Sequence, residues 1–155
     1  MRIQLIAVGN RMPDWVQQGY GEYAKRLRAD VRLELIEIPA EPRRKGADLA
    51  RIQANEGKRQ LARIPDGCMV WALDQHGSLW DTPKLSQRLK GWMHQGRDLA
   101  LLVGGPEGLS KECLARAEGK WSLSPLTLPH PMVRVVVAEH LYRAWSLMSG
   151  HPYHR

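Results

Sequence analysis

Apolar and polar positions follow two periodicities that alternate along the chain. A period of two, or a short unbroken apolar run, predicts strands near residues 3–8, 31–35, 68–73, 99–103 and 120–123. A period of about 3.6 predicts helices near residues 14–27, 47–62, 82–93, 110–118 and 131–149. This order predicts an α/β fold in a single domain of residues 1–155, with a mostly parallel sheet and helices on both faces.

Local sequence also predicts where three helices begin. Asp14, Thr82 and Ser110 each stand at the start of a helical pattern, and their side-chain oxygens can accept hydrogen bonds from the first peptide N–H groups. Pro83 follows Thr82 at a position suited to a first helical turn.

The last predicted helix is apolar over more than one face. It therefore lies either deep in the core or with one face against a second subunit. In a chain of 155 residues we favour the second arrangement, which predicts a homodimer.

The chain is basic, with a formal net charge of +7 at pH 7 and a pI of about 9.8. Cations are concentrated in a basic region from Glu41 to Arg63, which holds Arg43, Arg44, Lys45, Arg51, Lys58, Arg59 and Arg63. Such a region is either a solvated surface or a surface that contacts phosphates, and the sequence leaves both interpretations open.

No sequence feature indicates a membrane or an oxidising compartment. No apolar run approaches the roughly 20 residues of a membrane span, and the N-terminal apolar run is too short for a signal peptide. Cys68 and Cys113 are far apart and lie in apolar surroundings, which favours reduced core cysteines over a disulfide or a metal site. We therefore expect a cytoplasmic protein without a membrane or metal partner.

Three predicted strand ends have unusual sequences, at the edge where doubly wound sheets bind ligands. They are Leu73–Asp74, a glycine turn at Gly104–Gly108 and a proline-rich segment at Leu123–Pro131. Glycines let the backbone approach a ligand, but neither phosphate-binding glycine motif is present, so the residues of the turn alone favour a structural role over ligand contact. The backbone of the apolar segment needs partners, which either burial under the last helix or a ligand such as an adenine ring would supply.

The C-terminal tail, His151–Arg155, concentrates side chains that can bond phosphates, stack on bases and move protons. Contact with a substrate is favoured over a mobile end, and a metal site lacks further ligands nearby. No nucleophile with a neighbouring base is present, and pairing Asp74 with Glu107 as catalytic carboxylates has no support.

Several motifs in fixed order closely resemble the RlmH family of the SPOUT superfamily. They are MPDWV at 12–16, ELIEIP at 34–39, LVGGPEG at 102–108, LTLPH at 126–130, VR at 133–134, YRAW at 142–145 and the tail HPYHR. The resemblance extends over the whole chain.

The resemblance implies a C-terminal trefoil knot, a homodimer and methyl transfer from S-adenosylmethionine. The implied substrate is N3 of pseudouridine 1915 in helix 69 of 23S rRNA, on the assembled ribosome. The cofactor would contact Leu73, Gly104, Gly105, Leu123, Ser124, Pro125, Leu126, Thr127 and Leu128.

The resemblance further implies that Tyr153, His154 and Arg155 are the catalytic residues. Tyr153 would stack on the uracil face, while His154 or Arg155, from either subunit, would hold the base and its phosphate. A ribosome-binding factor without catalysis would share the charge and the tail but would need no cofactor cleft. A nucleotide hydrolase is disfavoured by the missing phosphate loop.

Overall fold

The computed structural model describes residues 1–155 and contains one five-stranded sheet. Its strands are β1 (Arg2–Val8), β2 (Arg32–Ile38), β3 (Met69–Leu79), β4 (Leu99–Val103) and β5 (Gly119–Ser122). The strand order is β2-β1-β4-β3-β5, and every neighbouring pair is parallel. The predicted α/β class is confirmed, whereas the C-terminal knot stays a prediction.

Helices cover both faces of this sheet, as predicted. They are α1 (Asp14–Ala24), α2 (Leu49–Ala62), α3 (Thr82–His94), α4 (Lys111–Arg116) and α5 (His130–Ser149). Side chains from α1, α3 and α5 pack with Leu5 and Leu101 on one face, and those from α2 and α4 pack with Val70 and Leu102 on the other. Successive strand residues point to opposite faces, so the unbroken apolar strands supply both halves of the core.

Of the three predicted helix caps, only Ser110 is confirmed, because its hydroxyl accepts from the N–H of Cys113 at 3.2 Å. The Thr82 prediction was wrong by one residue. The carboxylate of Asp81 instead accepts a hydrogen bond from the backbone N–H of Lys84. Its negative charge also interacts favourably with the positive end of the helix dipole. The Asp14 prediction was also wrong. Pro13 precedes the helix in an extended conformation, and Asp14 is its first residue.

Strand β3 is longer than the apolar run that predicted it. Its pairing with β5 shifts register between Leu73 and Ser78, so residues 74–77 interrupt the regular ladder. Gly77 allows this close approach, because a Cβ there would lie 2.7 Å from the carbonyl carbon of Lys120. The interruption places Asp74 and Gln75 at the carboxyl edge of the sheet.

Cys68 and Cys113 are buried free thiols, as predicted, and burial raises the pKa of both. None of the helices combines the length and apolar character needed to cross a membrane. No three His, Cys, Asp or Glu side chains are grouped closely enough to hold a metal ion. A short 3-10 helix at Pro152–His154, which the sequence pattern did not predict, follows α5.

Candidate functional site

A cleft lies at the carboxyl ends of β3 and β4, beside the first turn of α5. Its walls come from all three segments that the sequence singled out: Leu73, Gly104, Gly105, Leu123, Ser124, Leu126, Thr127 and Leu128 line it. Pro125 does not line the cleft, and its carbonyl oxygen instead accepts a 3.4 Å hydrogen bond from Gln75. The fold thus brings distant strand ends together, while their contact with a cofactor stays a prediction.

The cleft is also lined by residues that the sequence analysis did not propose as cofactor contacts. They are Asp74, Gln75, Val103, Gly108, Trp121, His130 and Val133. The side-chain amide of Gln75 donates to Thr127 Oγ1 at 3.2 Å, so it ties the irregular part of β3 to the proline-rich segment. Nothing in the local pattern marks Gln75, since it lies outside the apolar run of β3.

The proline-rich segment is held in an open, partly solvent-facing conformation. Ser122 Oγ donates to the carbonyl of Ser124 at 3.0 Å, and Ser124 Oγ accepts from the N–H of Leu126 at 2.9 Å. The N–H groups of Thr127 and Leu128 have no acceptor within the chain. Leu126 is 75% exposed, so the alternative of a loop buried under the last helix is wrong. Apolar walls with unpaired peptide N–H groups suit the edge of a heterocyclic ring.

The glycine turn closes tightly on itself. The N–H of Gly108 donates to the carbonyl of Gly105 at 2.9 Å, and Gly108 has a φ of +82°. A Cβ at Gly104 would lie 2.3 Å from the carbonyl carbon of Gly108, well inside any real contact. The turn therefore requires glycine for its own closure as well as presenting backbone to the cleft.

Helix α2 supports the glycine turn through amide side chains on its inner face. Gln53 Nε2 donates to the carbonyl oxygens of Glu107 at 2.8 Å and Leu109 at 3.2 Å. The buried Gln60 donates to Val103 at the end of β4, at 2.9 Å. These bonds satisfy carbonyl groups that the turn and the strand end leave without ladder partners.

Arg43 joins α2 to the glycine turn by ionic contacts. Its guanidinium lies 2.7 Å from Glu56 on α2 and 2.7 Å from Glu107 in the turn. It also donates to the carbonyl of Glu41 at 2.9 Å. The hydrogen bonds from Arg43 hold the pKa of the Glu107 carboxyl below its usual value. We call Arg43, Glu56 and Glu107 the arginine clamp.

The other cations of the basic region remain on the surface. The exposed ones are Arg44, Lys45, Arg51, Lys58, Arg59 and Arg63. Among them Arg59 pairs with Glu41 at 3.2 Å, a partly exposed contact. The outer face of α2 and the loop before it therefore present exposed positive charge, while the inner face of α2 supports the glycine turn and the end of β4.

The first turn of α5 places a histidine and a buried arginine beside the cleft. Burial and the neighbouring positive charges of Arg134 and Arg43 lower the pKa of His130. Arg134 pairs with Glu37 at 2.7 Å. Both residues belong to motifs quoted for the family resemblance, but the sequence did not assign them a role.

The C-terminal tail packs on its own α5, away from the cleft. The Tyr153 ring lies 4.6 Å from the Tyr142 ring, and its hydroxyl donates to Glu139 at 3.1 Å. Burial and the nearby Glu139 carboxylate raise the pKa of Tyr153. Val133 in the cleft and Tyr142 under the tail are separated by roughly 14 Å along the helix, at about 1.5 Å per residue. Tyr153, His154 and Arg155 therefore do not line the cleft of their own chain.

Comparison with known sequences places these features in a family. A family profile described as "Predicted SPOUT methyltransferase" matches residues 1–154. Ribosomal RNA large subunit methyltransferase H of Thioalkalivibrio sulfidiphilus is 64% identical over 155 residues, covering 100% of this chain and 99% of that protein. The protein of the same name in Alkalilimnicola ehrlichii is 61% identical, with the same coverage.

Solved structures share the architecture at low sequence identity. A probable methyltransferase from Bordetella pertussis Tohama I has a TM-score of 0.56 and 15% identity, covering 92% of this chain and 95% of that one. A probable methylase family protein from Haemophilus influenzae Rd KW20 has a TM-score of 0.55 and 14% identity, covering 99% and 70%. At such identities the likeness concerns the fold alone.

Proposed function

The chain belongs to the RlmH family of SPOUT methyltransferases, which methylate large-subunit ribosomal RNA, and from this premise we propose its reaction. It transfers a methyl group from S-adenosylmethionine to N3 of pseudouridine 1915 in helix 69 of 23S rRNA. The substrate is the assembled ribosome, and the enzyme is a cytoplasmic homodimer of single-domain subunits.

The observation that carries this proposal is the convergence of three distant segments on one cleft. Leu73, Gly105 and Leu126 come from separate strand ends and line the same cavity. The lining suits an adenosyl group, because leucines supply apolar walls and the N–H groups of Thr127 and Leu128 are available to a ring edge. The residues present therefore fit S-adenosylmethionine.

The reaction needs little covalent chemistry from the protein. When bound, S-adenosylmethionine supplies an electrophilic methyl group, so no protein nucleophile is required. The chain has to place the base within about 3–3.5 Å of that methyl and to let the N3 proton leave. We assign Tyr153 to stacking on the uracil face, and His154 and Arg155 to holding the base and its phosphate.

A homodimer would supply the tail that each cleft lacks. The tail of one chain packs on the far part of its own α5, so a second subunit has to bring Tyr153 to the neighbouring cleft. Leu126 at the cleft is 75% exposed and Met132 on α5 is 36% exposed, which gives a partner apolar surface to cover. We expect the completed site to contain the cofactor segments of one subunit and the tail of the other.

The exposed cations around α2 are the proposed rRNA contact. They lie on the loop before α2 and on its outer face, next to the helix side that supports the cleft. Phosphate contacts release counterions, so ribosome binding should weaken steeply as salt rises. A flat salt profile would contradict this assignment.

Two measurements test the proposal. Calorimetry with S-adenosylmethionine measures cofactor binding, and mass spectrometry locates any methyl group added to ribosomes from cells that lack this gene. We expect a cofactor complex and one added methyl group on helix 69.

The two measurements also separate the competing functions. Ribosome binding without any cofactor binding would favour a non-catalytic ribosome-binding factor. Cofactor binding together with a methyl group on another nucleotide would support methyltransferase activity but would overturn the proposed target.

A further inference from the structure

The basic region contains one cation whose environment differs from all the others. The Arg43 side chain is 20% exposed, and the Glu56 side chain beside it is 4% exposed. The neighbouring Arg44 and Lys45 are exposed and take part in no ion pair. Adjacent arginines in one loop therefore face different surroundings.

The hydrogen bonds of Arg43 leave no donor for a phosphate. A guanidinium has five N–H donors. Nε donates to Glu107, Nη1 donates to the carbonyl of Glu41 and to Glu56, and Nη2 donates to Glu56 and to Glu107. A phosphate could bind Arg43 only by displacing a carboxylate from it.

Both carboxylates have positions that matter for the cleft. Glu107 belongs to the glycine turn, whose Gly104 and Gly105 line the cleft. Glu56 lies on α2, and its second oxygen also accepts from the N–H of Glu41 at 2.8 Å. A Cβ at Gly105 would lie 3.1 Å from an Arg43 nitrogen, so the guanidinium packs directly against the turn.

We propose that Arg43 is a positioning residue that fixes the glycine turn for the cofactor, and that it does not contact rRNA phosphate. This inference rests on the proposed function, because it concerns the cofactor cleft of the same enzyme. The planar guanidinium bridges two carboxylates at once, which a lysine ammonium cannot do with the same geometry. Loss of the bridge frees the turn, and the cofactor then has to order it on binding.

The test compares two adjacent substitutions that remove the same charge, Arg43→Gln and Arg44→Gln. Calorimetry gives the Kd for S-adenosylmethionine, and ribosome binding is measured over a range of salt concentrations. Arg43→Gln should raise the cofactor Kd about tenfold and leave the salt slope of ribosome binding unchanged. Arg44→Gln should lower that slope by about one unit and leave the cofactor Kd unchanged.

The opposite pattern would overturn the inference. If Arg43→Gln lowers the salt slope as Arg44→Gln does, and binds cofactor like the wild type, Arg43 is a phosphate contact. If Arg43→Gln does not fold, Arg43→Lys keeps a cation beside Glu56 without the double bridge, and it should raise the cofactor Kd several-fold. A wild-type Kd in Arg43→Lys would then reject the positioning role.

A double substitution shows whether Arg43 affects cofactor affinity through its bond to Glu107 or through a general loss of order in the protein. Glu107→Gln weakens the same bridge from the other side, so Arg43→Lys with Glu107→Gln should bind cofactor no more weakly than Arg43→Lys alone. Additive losses would mean that the two residues act separately. Wild-type protein that binds no S-adenosylmethionine would refute the proposed function itself, whereas wild-type binding with unaffected variants refutes the inference alone.

Discussion

A side-chain nitrogen of Arg134 donates a 2.6 Å hydrogen bond to the carbonyl oxygen of Gly9, across 125 positions of sequence. A second nitrogen donates to Glu37 at 2.7 Å. Gly9 follows β1 and Glu37 lies near the end of β2, so one guanidinium ties two strand ends to the first turns of α5. Arg134 is 2% exposed, and these two bonds fix the start of α5, the helix whose Val133 lines the cleft.

Replacing this arginine should destabilise the fold. Arg134→Leu leaves the carbonyl of Gly9 without its donor and Glu37 without its partner. We expect the free energy of unfolding to fall by about 2–3 kcal/mol, since Glu37 keeps partial access to water. Urea denaturation measures this, with Arg63→Leu as a surface control that should change by less than about 0.5 kcal/mol. Equal effects of the two substitutions would contradict the role of Arg134.

Alanine should have opposite effects on the stability of the protein at Gly104 and at Gly91. At Gly104 the new Cβ collides with the Gly108 backbone at 2.3 Å, so the turn has to open. We expect Gly104→Ala to abolish cofactor binding and to cost at least about 2 kcal/mol of stability.

The contrasting substitution is Gly91→Ala in the interior of α3. A Cβ there meets nothing within 4 Å, so alanine should stabilise the protein by about 0.5–1 kcal/mol. Thermal unfolding measures the stability of both variants, and it should be lower than that of the wild type for Gly104→Ala and higher for Gly91→Ala. A stable Gly104→Ala variant that binds S-adenosylmethionine normally would show that the turn tolerates a side chain.

The sequence predicted the architecture of the protein, but it did not predict the side-chain contacts that support the cleft and the tail. The two periodicities were enough for the parallel sheet, its helical faces and the strand ends that form the cleft. The arginine clamp could not be predicted, because Glu107 lies 64 positions after Arg43 and each of the three side chains resembles an ordinary surface charge. The tail was correctly noticed as unusual, but its packing on α5 depends on tertiary contacts with Tyr142 and Glu139 that no local pattern encodes.

The protonation of His130 should make stability depend on pH. Burial lowers the pKa of His130 below its ordinary value of 6.5, so the unfolded chain binds more protons than the folded chain just below that pH. Stability therefore falls as the pH is lowered from 6.5 toward the folded-state pKa, and the full contribution is present above 6.5.

His130→Asn should remove this contribution. Denaturant unfolding at several pH values should show the wild type losing stability more steeply than the variant as the medium becomes acidic. His76→Asn, at an exposed position, controls for the loss of a histidine. Parallel pH profiles for wild type and His130→Asn would contradict a lowered pKa.

Substitutions in the C-terminal tail should separate catalysis from cofactor binding. Tyr153→Ala, His154→Ala and Arg155→Ala should each lower ribosome methylation at least about tenfold, because the tail positions the base. Cofactor affinity should stay unchanged, since the tail is assigned to the base and its phosphate and the cofactor is assigned to the strand-end segments. Tyr153→Phe keeps the ring and loses only the hydroxyl bond to Glu139, so its defect should be smaller. Normal methylation by all three alanine variants would exclude a role for the tail.

The packing of the tryptophans has an optical consequence. Four of the six tryptophans form a chain of contacts: Trp80 stacks on Trp121 with ring centroids 5.5 Å apart, and Trp71 and Trp92 follow at 5.4 and 6.1 Å from Trp80. Trp121 also lines the cleft. Because Trp121 is in contact with this group of rings and also borders the cleft, we expect a ligand that enters the cleft to change the tryptophan fluorescence of the protein.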